Sequence, residues 1–264
     1  ESDRPIVSVI IPTYGEHRVT RRCLASLAEQ ATETAFEVLV VDDAFAEPLN
    51  LASMHVSGAQ LIRNTQNLGF LRTCNRAVGA ARGDYILLLN NDTFLHAGAV
   101  NALLESFTHF DNVGAVCAQL RFADGRLQEA GGIVWSDGSA WNWGRGEHPK
   151  DPKFNYPREV DYGSAAALMV SRKLWEQLGG FDEDFAPAYY EDTDLCFAIR
   201  KLGHRVMYQP LAVVTHFEGV SHGTDTGMGI KAYQVSNKQR FADKWHQVLS
   251  QHRSNGVEPM LERD

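Results

Sequence analysis

The chain has 264 residues, 44% of them hydrophobic, which is enough to bury a core and excludes a disordered chain. Its formal net charge is −8, a balance that argues against a nucleic-acid partner. No apolar run approaches the ~20 residues that cross a bilayer, so any membrane contact is expected to be peripheral or supplied by other domains.

No signal-peptide pattern is read at the start. The chain opens on Glu1 rather than Met, which reads as an excision boundary from a larger protein. The four cysteines, Cys23, Cys74, Cys117 and Cys196, have no C-x-x-C spacing, so neither a zinc site nor a thioredoxin-like motif is expected. Each sits in an apolar or helical context and reads as a buried free thiol, as suits a reducing compartment.

In chain order, the β-branched run 6–11 predicts a central strand, ended by Pro12 and Gly15. Helical spacing of Val19, Cys23, Leu24, Leu27 and Ala28 predicts a helix over 17–30. Residues 36–41 read as a second buried strand, followed by Asp42 and Asp43, and 59–62 as a third. A helix over 71–81, a strand over 83–89 and a helix over 97–110 complete the first half. Strand–helix alternation of this kind marks a parallel sheet with crossover helices.

The second half reads differently. A strand is expected at 113–120, hairpins and loops in the Gly- and Trp-rich 121–156, and a small-residue strand at 160–170. A short helix at 171–178 is stopped by Gly179 and Gly180. Acids open a helix at 191–202, extended chain follows at 205–214, and a last helix covers 231–249.

Three strands of the first half end in polar residues: Thr13 with Tyr14, Asp42 with Asp43, and Asn90, Asn91 and Asp92. In an open parallel sheet these ends share one edge, where ligands bind. Neither G-x-G-x-x-G nor G-x-x-x-x-G-K-[ST] follows the first strand, which disfavours a dehydrogenase and a P-loop enzyme. A nucleotide held without a glycine cradle needs another way to neutralise its diphosphate, and a carboxylate-bound divalent cation does this.

The segments SVIIPTYGEHRVTRRCLASL, VLVVDD and NTQNLGFLRTCNRAVGAARGDYILLLNNDT resemble a family 2 glycosyltransferase with the GT-A fold. GGFDEDFAPAYYEDTDLCFAIRKLGHRV, VVTHFEGVSHGTD and the trio Asn237, Phe241 and Trp245 extend the resemblance over roughly residues 5–250. It is similar to the bacterial rhamnosyl- and galactosyl-transferase branch of O-antigen, capsule and cell-wall synthesis. The resemblance implies one α/β domain over 1–264, with a Rossmann-like, mostly parallel sheet flanked by helices. About 1–110 would be the nucleotide-binding half and about 111–264 a mixed acceptor and catalytic half. It also implies inverting transfer from a UDP- or dTDP-sugar, with Mn²⁺ or Mg²⁺, to a glycan or lipid-linked oligosaccharide. The cytoplasm, at the inner face of the bacterial inner membrane, is the implied location.

By the same resemblance Pro12, Thr13, Tyr14, Glu16, Asp42, Asp43, Asn67, Gly69, Asn75, Asn90, Asn91, Asp92, Gly163 and Ser164 would bind the nucleotide-sugar. The family carries Asp-x-Asp where this chain has Asn90, Asn91 and Asp92, so one charge is missing. Asp92 and His216 would hold the metal, with His222 as the alternative in a glycine-rich loop. Asp192 would be the general base and Glu191 would orient the acceptor or support the loop. Asp194, two positions on, faces away from Asp192 on a helix. Acids at a helix start also serve as caps and complement its dipole, and that reading stands beside the catalytic one. Arg72 or Arg76 meets phosphate or lies on a solvated face. Trp135, Trp141 and Trp143 cover a sugar ring or pack under a loop. The competing functions are a nucleotidyltransferase, which 11–18 does not supply with a Gly-rich, Arg-bearing loop, and a non-catalytic nucleotide-sugar-binding domain.

Overall fold

A computed structural model describes residues 4–30, 34–217 and 233–257. The first half runs β1 (Val7–Thr13), α1 (His17–Ala28), β2 (Phe36–Asp42), β3 (Ala59–Arg63), α2 (Gly69–Val78), β4 (Tyr85–Leu89), β5 (Thr93–Leu95) and α3 (Ala99–His109). The second half runs β6 (Val113–Arg121), β7 (Leu127–Glu129), β8 (Gly132–Val134), β9 (Ala140–Asn142), β10 (Arg158–Glu159), β11 (Ala167–Ser171), α4 (Arg172–Leu178), α5 (Glu191–Lys201), β12 (Arg205–His216), α6 (Tyr233–Lys244) and α7 (His246–Leu249).

The main sheet has the order β10-β12-β6-β11-β4-β1-β2-β3, with β5 on β12 and β7 on β6; β8 and β9 form a separate hairpin. β4, β1, β2 and β3 are mutually parallel, as the first-half alternation predicts. The second half is mixed: β11 is antiparallel to both β4 and β6, while β12 is parallel to β6.

Alternation along the strands divides the core into two layers. Val7, Val9 and Ile11 of β1 pack with Cys23, Leu24 and Leu27 of α1 and Val100 and Leu103 of α3. Ile10 points the other way, to Leu71 and Cys74 of α2, Leu195 and Phe197 of α5, and Phe241 of α6. All four cysteines are buried and free.

Of the strand expected over 160–170 only 167–170 forms, as part of β11; 160–166, which follows β10, is a loop with a single bridge at Tyr162. A Cβ on Gly163 would lie 2.1 Å from Cys117 Cβ, so only glycine lets this loop pass β6. The amides of Ser164 and Ala165 are turned onto carboxylates rather than a neighbouring strand. The last helix is broken at Trp245 into α6 and α7, and residues 231–232 lie outside the described residues.

Candidate active site

The register places the three polar clusters together. Thr13 pairs with Asp42, and Asp42 with Arg63. Ile10 pairs with Leu88, which brings Asn90 level with Pro12.

Much of this edge is internally braced. Thr13 Oγ1 receives the Asn91 amide at 3.2 Å and lies 3.0 Å from Thr20 Oγ1. Asp42 accepts the backbone N–H groups of Phe45 and Leu49 and the Arg63 guanidinium. Asp43 accepts from the Asn64 side chain and from the amides of Leu68 and Gly69. Asn67 also receives the Gly69 N–H, at 2.9 Å. Asn75 exchanges two hydrogen bonds with the Phe181 backbone, so it ties α2 to the chain before α5. Tyr14 is half exposed and set edge-on to Phe45 at 5.1 Å. Glu16, at φ 50°, is exposed at the start of α1. Arg72 pairs with Glu183 at 3.0 Å and Arg76 donates to Asn64, so both arginines have protein partners.

Beyond β4 the chain turns through Asn90, whose N–H donates to the Ala166 carbonyl at 3.1 Å. Asp92 is 4% exposed, and its Oδ1 lies 3.2 Å from His216 Nε2 at the end of β12. The Asn90 amide is 3.4 Å from the same nitrogen. On the far side of the ring, His216 Nδ1 is 3.1 Å from Gln128 Oε1, an oxygen that can only accept. A ring proton on Nδ1 would be donated to that oxygen, and Nε2 would then offer its lone pair on the side of Asp92. A ring lone pair and a carboxylate oxygen converging on one point suit a divalent cation, and a ring N–H held from outside is usual for a ligating His, whereas the Asn90 NH₂ that faces the same nitrogen is a donor and not a ligand. Among the described residues no group of three or more His, Cys, Asp or Glu side chains could hold a metal. A two-residue site matches a small hard cation that takes its remaining ligands from water and phosphate. His222 lies outside the described residues.

The α5 carboxylates stand on the other side of the 163–166 loop. Tyr189 and Tyr190, at φ 75° and 70°, deliver the chain into the helix in the left-handed region. Such backbone is costly for a side-chain-bearing residue and concentrates at functional sites. Asp192 Oδ2 accepts the Ala165 N–H at 3.1 Å, and Oδ1 accepts the Thr193 N–H at 2.7 Å. Burial nonetheless raises its carboxyl above the usual range. Glu191 is 5% exposed, and its Oε2 has no hydrogen-bond partner. Burial first, and the adjacent Asp192 second, push it well up. Asp194 faces Lys244 at 2.8 Å and Trp245 Nε1 at 2.7 Å, away from the loop, as its helix position predicts.

The loop joins the two groups: Ala166 holds Asn90, Ala165 holds Asp192, and Ser164 holds Glu129 of β7 at 2.9 Å. The sequence reading missed Gln128 and Glu129, which sit in a stretch read only as hairpins and loops. Trp135 is buried edge-on to Trp141 at 5.5 Å, and the half-buried Trp143 stands edge-on to Phe154 at 5.9 Å. Trp141 is 50% exposed.

The family model described as Glycosyl transferase family 2 matches residues 8–178. The chain belongs to glycosyl transferase family 2. It is 26% identical to an N-acetylglucosaminyl-diphospho-decaprenol L-rhamnosyltransferase of Mycobacterium tuberculosis, over 90% of this chain and 85% of that protein. It is 29% identical to the O-antigen biosynthesis protein RfbC of Myxococcus xanthus, over 84% of this chain but 18% of that protein. An uncharacterised protein of Sinorhizobium fredii, y4gI, is 28% identical, and the chain spans 25% of its length. Among solved structures, GalNAc-T7 with UDP, GalNAc and Mn²⁺ superposes with a TM-score of 0.72 at 14% identity, over 95% of this chain and 50% of that one. The mannosyltransferase PcManGT of Pyrobaculum calidifontis, with GDP-Man and Mn²⁺, gives 0.62 at 21% identity, over 96% and 66%. The family 2 chain therefore has the GT-A fold expected from its sequence, and it is a glycosyltransferase with relatives in polysaccharide biosynthesis.

Proposed function

We propose that this glycosyltransferase is metal-dependent and inverting. It moves a sugar from a UDP- or dTDP-sugar to a hydroxyl of a glycan or lipid-linked oligosaccharide during bacterial surface polysaccharide synthesis. The observation that carries this reading is the pair of groups flanking the 163–166 loop, Asp92 with His216 on one side and Asp192 on the other.

Inversion needs a base on the face opposite the leaving diphosphate. Asp192 suits that role. Two backbone N–H groups fix its orientation, and burial makes it a stronger base than an exposed aspartate. It would take the acceptor hydroxyl proton as the oxygen attacks the anomeric carbon. Glu191, buried at the first position of α5, would support that turn. A divalent cation, Mn²⁺ or Mg²⁺, would be held by Asp92 and His216 and would offset the charge of the diphosphate. Asn90 in place of a first aspartate removes one negative charge from that set. The mannosyl- and GalNAc-transferase structures crystallised with Mn²⁺ support a metal here, and the rhamnosyltransferase relative supports a lipid-linked acceptor. Among the described residues no helix is long and apolar enough to cross a membrane. With the acceptor reading, that favours action at the cytoplasmic face of the inner membrane through peripheral contact. A binding domain without catalysis would need Asp192 only to brace the Ala165 and Thr193 amides.

Thermal stabilisation across a panel of nucleotides and nucleotide-sugars, with and without Mn²⁺, tests the donor half of this reading. A Mn²⁺-dependent shift with one diphosphate and its sugars is expected. No shift with any of them in a folded sample refutes it. Asp192→Asn tests the chemistry: transfer should vanish while donor affinity stays within about threefold.

A further inference from the structure

Strand β7 supplies a carboxyl that the reaction above does not use. Glu129 is 1% exposed. Its Oε1 accepts the Ser164 N–H at 2.9 Å, and Asp192 accepts the very next amide, that of Ala165, at 3.1 Å. Two carboxyl groups from distant elements thus hang on consecutive N–H groups of one loop. The second Glu129 oxygen, Oε2, is buried with no hydrogen-bond partner. An ionised carboxylate with a bare buried oxygen is costly, whereas a neutral acid in the same place is far less so.

The groups around Glu129 agree with this. Asp192 of α5 faces it with a like charge, and Arg145, after β9, is the positive group acting on it. Tyr162, Cys117 of β6 and Cys196 of α5 also face it, all three pushed up by burial. Burial outweighs the Ser164 amide and Arg145, and the Glu129 carboxyl is pushed up to about 8.

We propose that Glu129 is a positioning residue for Asp192: an uncharged carboxylic acid that pins the Ser164 N–H next to the Ala165 N–H that Asp192 accepts, and leaves Asp192 to carry the negative charge there. The proposal rests on reading Asp192 as the base. Ionising Glu129 sets a second charge against Asp192 and loosens the paired arrangement, so turnover should decline as Glu129 titrates.

The test begins without substrate. In a chain labelled with ¹³C-glutamate, the Glu129 side-chain carboxyl signal is identified by its loss in Glu129→Gln and titrated. The expected midpoint lies at least about 2 pH units above an ordinary glutamate, and Asp192→Asn should lower it by about 1 unit or more. A midpoint in the ordinary range, or one that Asp192→Asn leaves in place, overturns the proposal. The functional arm reads nucleoside diphosphate release from UDP-galactose and dTDP-rhamnose with Mn²⁺. Glu129→Ala should lose about tenfold or more, Glu129→Gln should recover most of that, and the alkaline decline of the parent should be absent in the Gln variant. An alkaline decline shared by parent and Gln variant counts against the proposal. Turnover retained by Asp192→Asn sinks the base assignment itself, a result separate from any Glu129 titration.

Discussion

Replacing Asn237 by Ala should unpin the segment that delivers the α5 carboxylates. The Asn237 amide nitrogen lies 2.8 Å from the Phe185 carbonyl, 3.0 Å from that of Ala188 and 2.9 Å from that of Tyr189. The residue is fully buried. One NH₂ group has two hydrogens, so it makes two full bonds and shares with the third acceptor. Alanine removes this donor from all three carbonyls, at about 1–3 kcal/mol for each full bond lost. The expected loss is therefore about 2–6 kcal/mol, a large part of the 5–15 kcal/mol typical of a domain. Urea denaturation should show a lower midpoint with an unchanged m-value. The left-handed Tyr189, which leads through Tyr190 into α5, loses this tether. Transfer should then fall by about tenfold or more in protein that is still folded, while donor affinity changes far less, because the Asp42 and Asp92 edge is untouched. A stability loss below about 1 kcal/mol, or donor affinity falling in step with transfer, would refute this account of the Asn237 clamp.

Other perturbations reach the remaining parts of the site. Asp92→Asn and His216→Ala should each abolish Mn²⁺-dependent thermal stabilisation; an unchanged Mn²⁺ shift in both would remove them from the metal site. Gly163→Ala should destabilise by about 3 kcal/mol or more through its clash with Cys117, and Cys117→Gly in the same chain should recover part of it; additive losses in melting experiments would disprove the contact. Glu129 should set a pH slope. Its carboxyl is raised on folding from 4.5 to about 8, so its contribution is fully present below pH 4.5 and is lost as pH rises to about 8. At about 1.4 kcal/mol per tenfold in proton affinity, the loss is on the order of 5 kcal/mol. Glu129→Gln should flatten stability across that window, and an identical slope in parent and variant would refute the burial argument.

β1, β2 and β4 of the parallel half were legible because they are largely buried on both faces and end abruptly in polar side chains, as 36–43 and 83–92 show; β3, at the sheet edge, is largely exposed. Period and composition therefore placed Thr13, Asp42 and Asn90 on one edge, and the register bears this out. What those side chains touch was not legible. Asn75 meets Phe181 and Asn91 meets Thr13 across long stretches of chain, and nothing local encodes such pairings. The region around β7 was read only as hairpins because a three-residue strand carries no period. The Ser164 and Ala165 contacts use backbone N–H groups, which every residue but proline has, so their side chains gave no sign of them. The break in the expected 160–170 strand follows from the same cause.

The position of β12 bears on where this protein can be cut. The family match ends at residue 178, yet β12 lies between β10 and β6 in the sheet and pairs along nearly the whole of β6. A fragment ending at 178 would leave the nine-residue β6 as a bare, apolar border, open to pairing with a second fragment. The stretch that defines kinship is therefore not the stretch that can stand alone. The smallest soluble piece must run past His216 and take in α6, whose Phe241 closes the layer over α5.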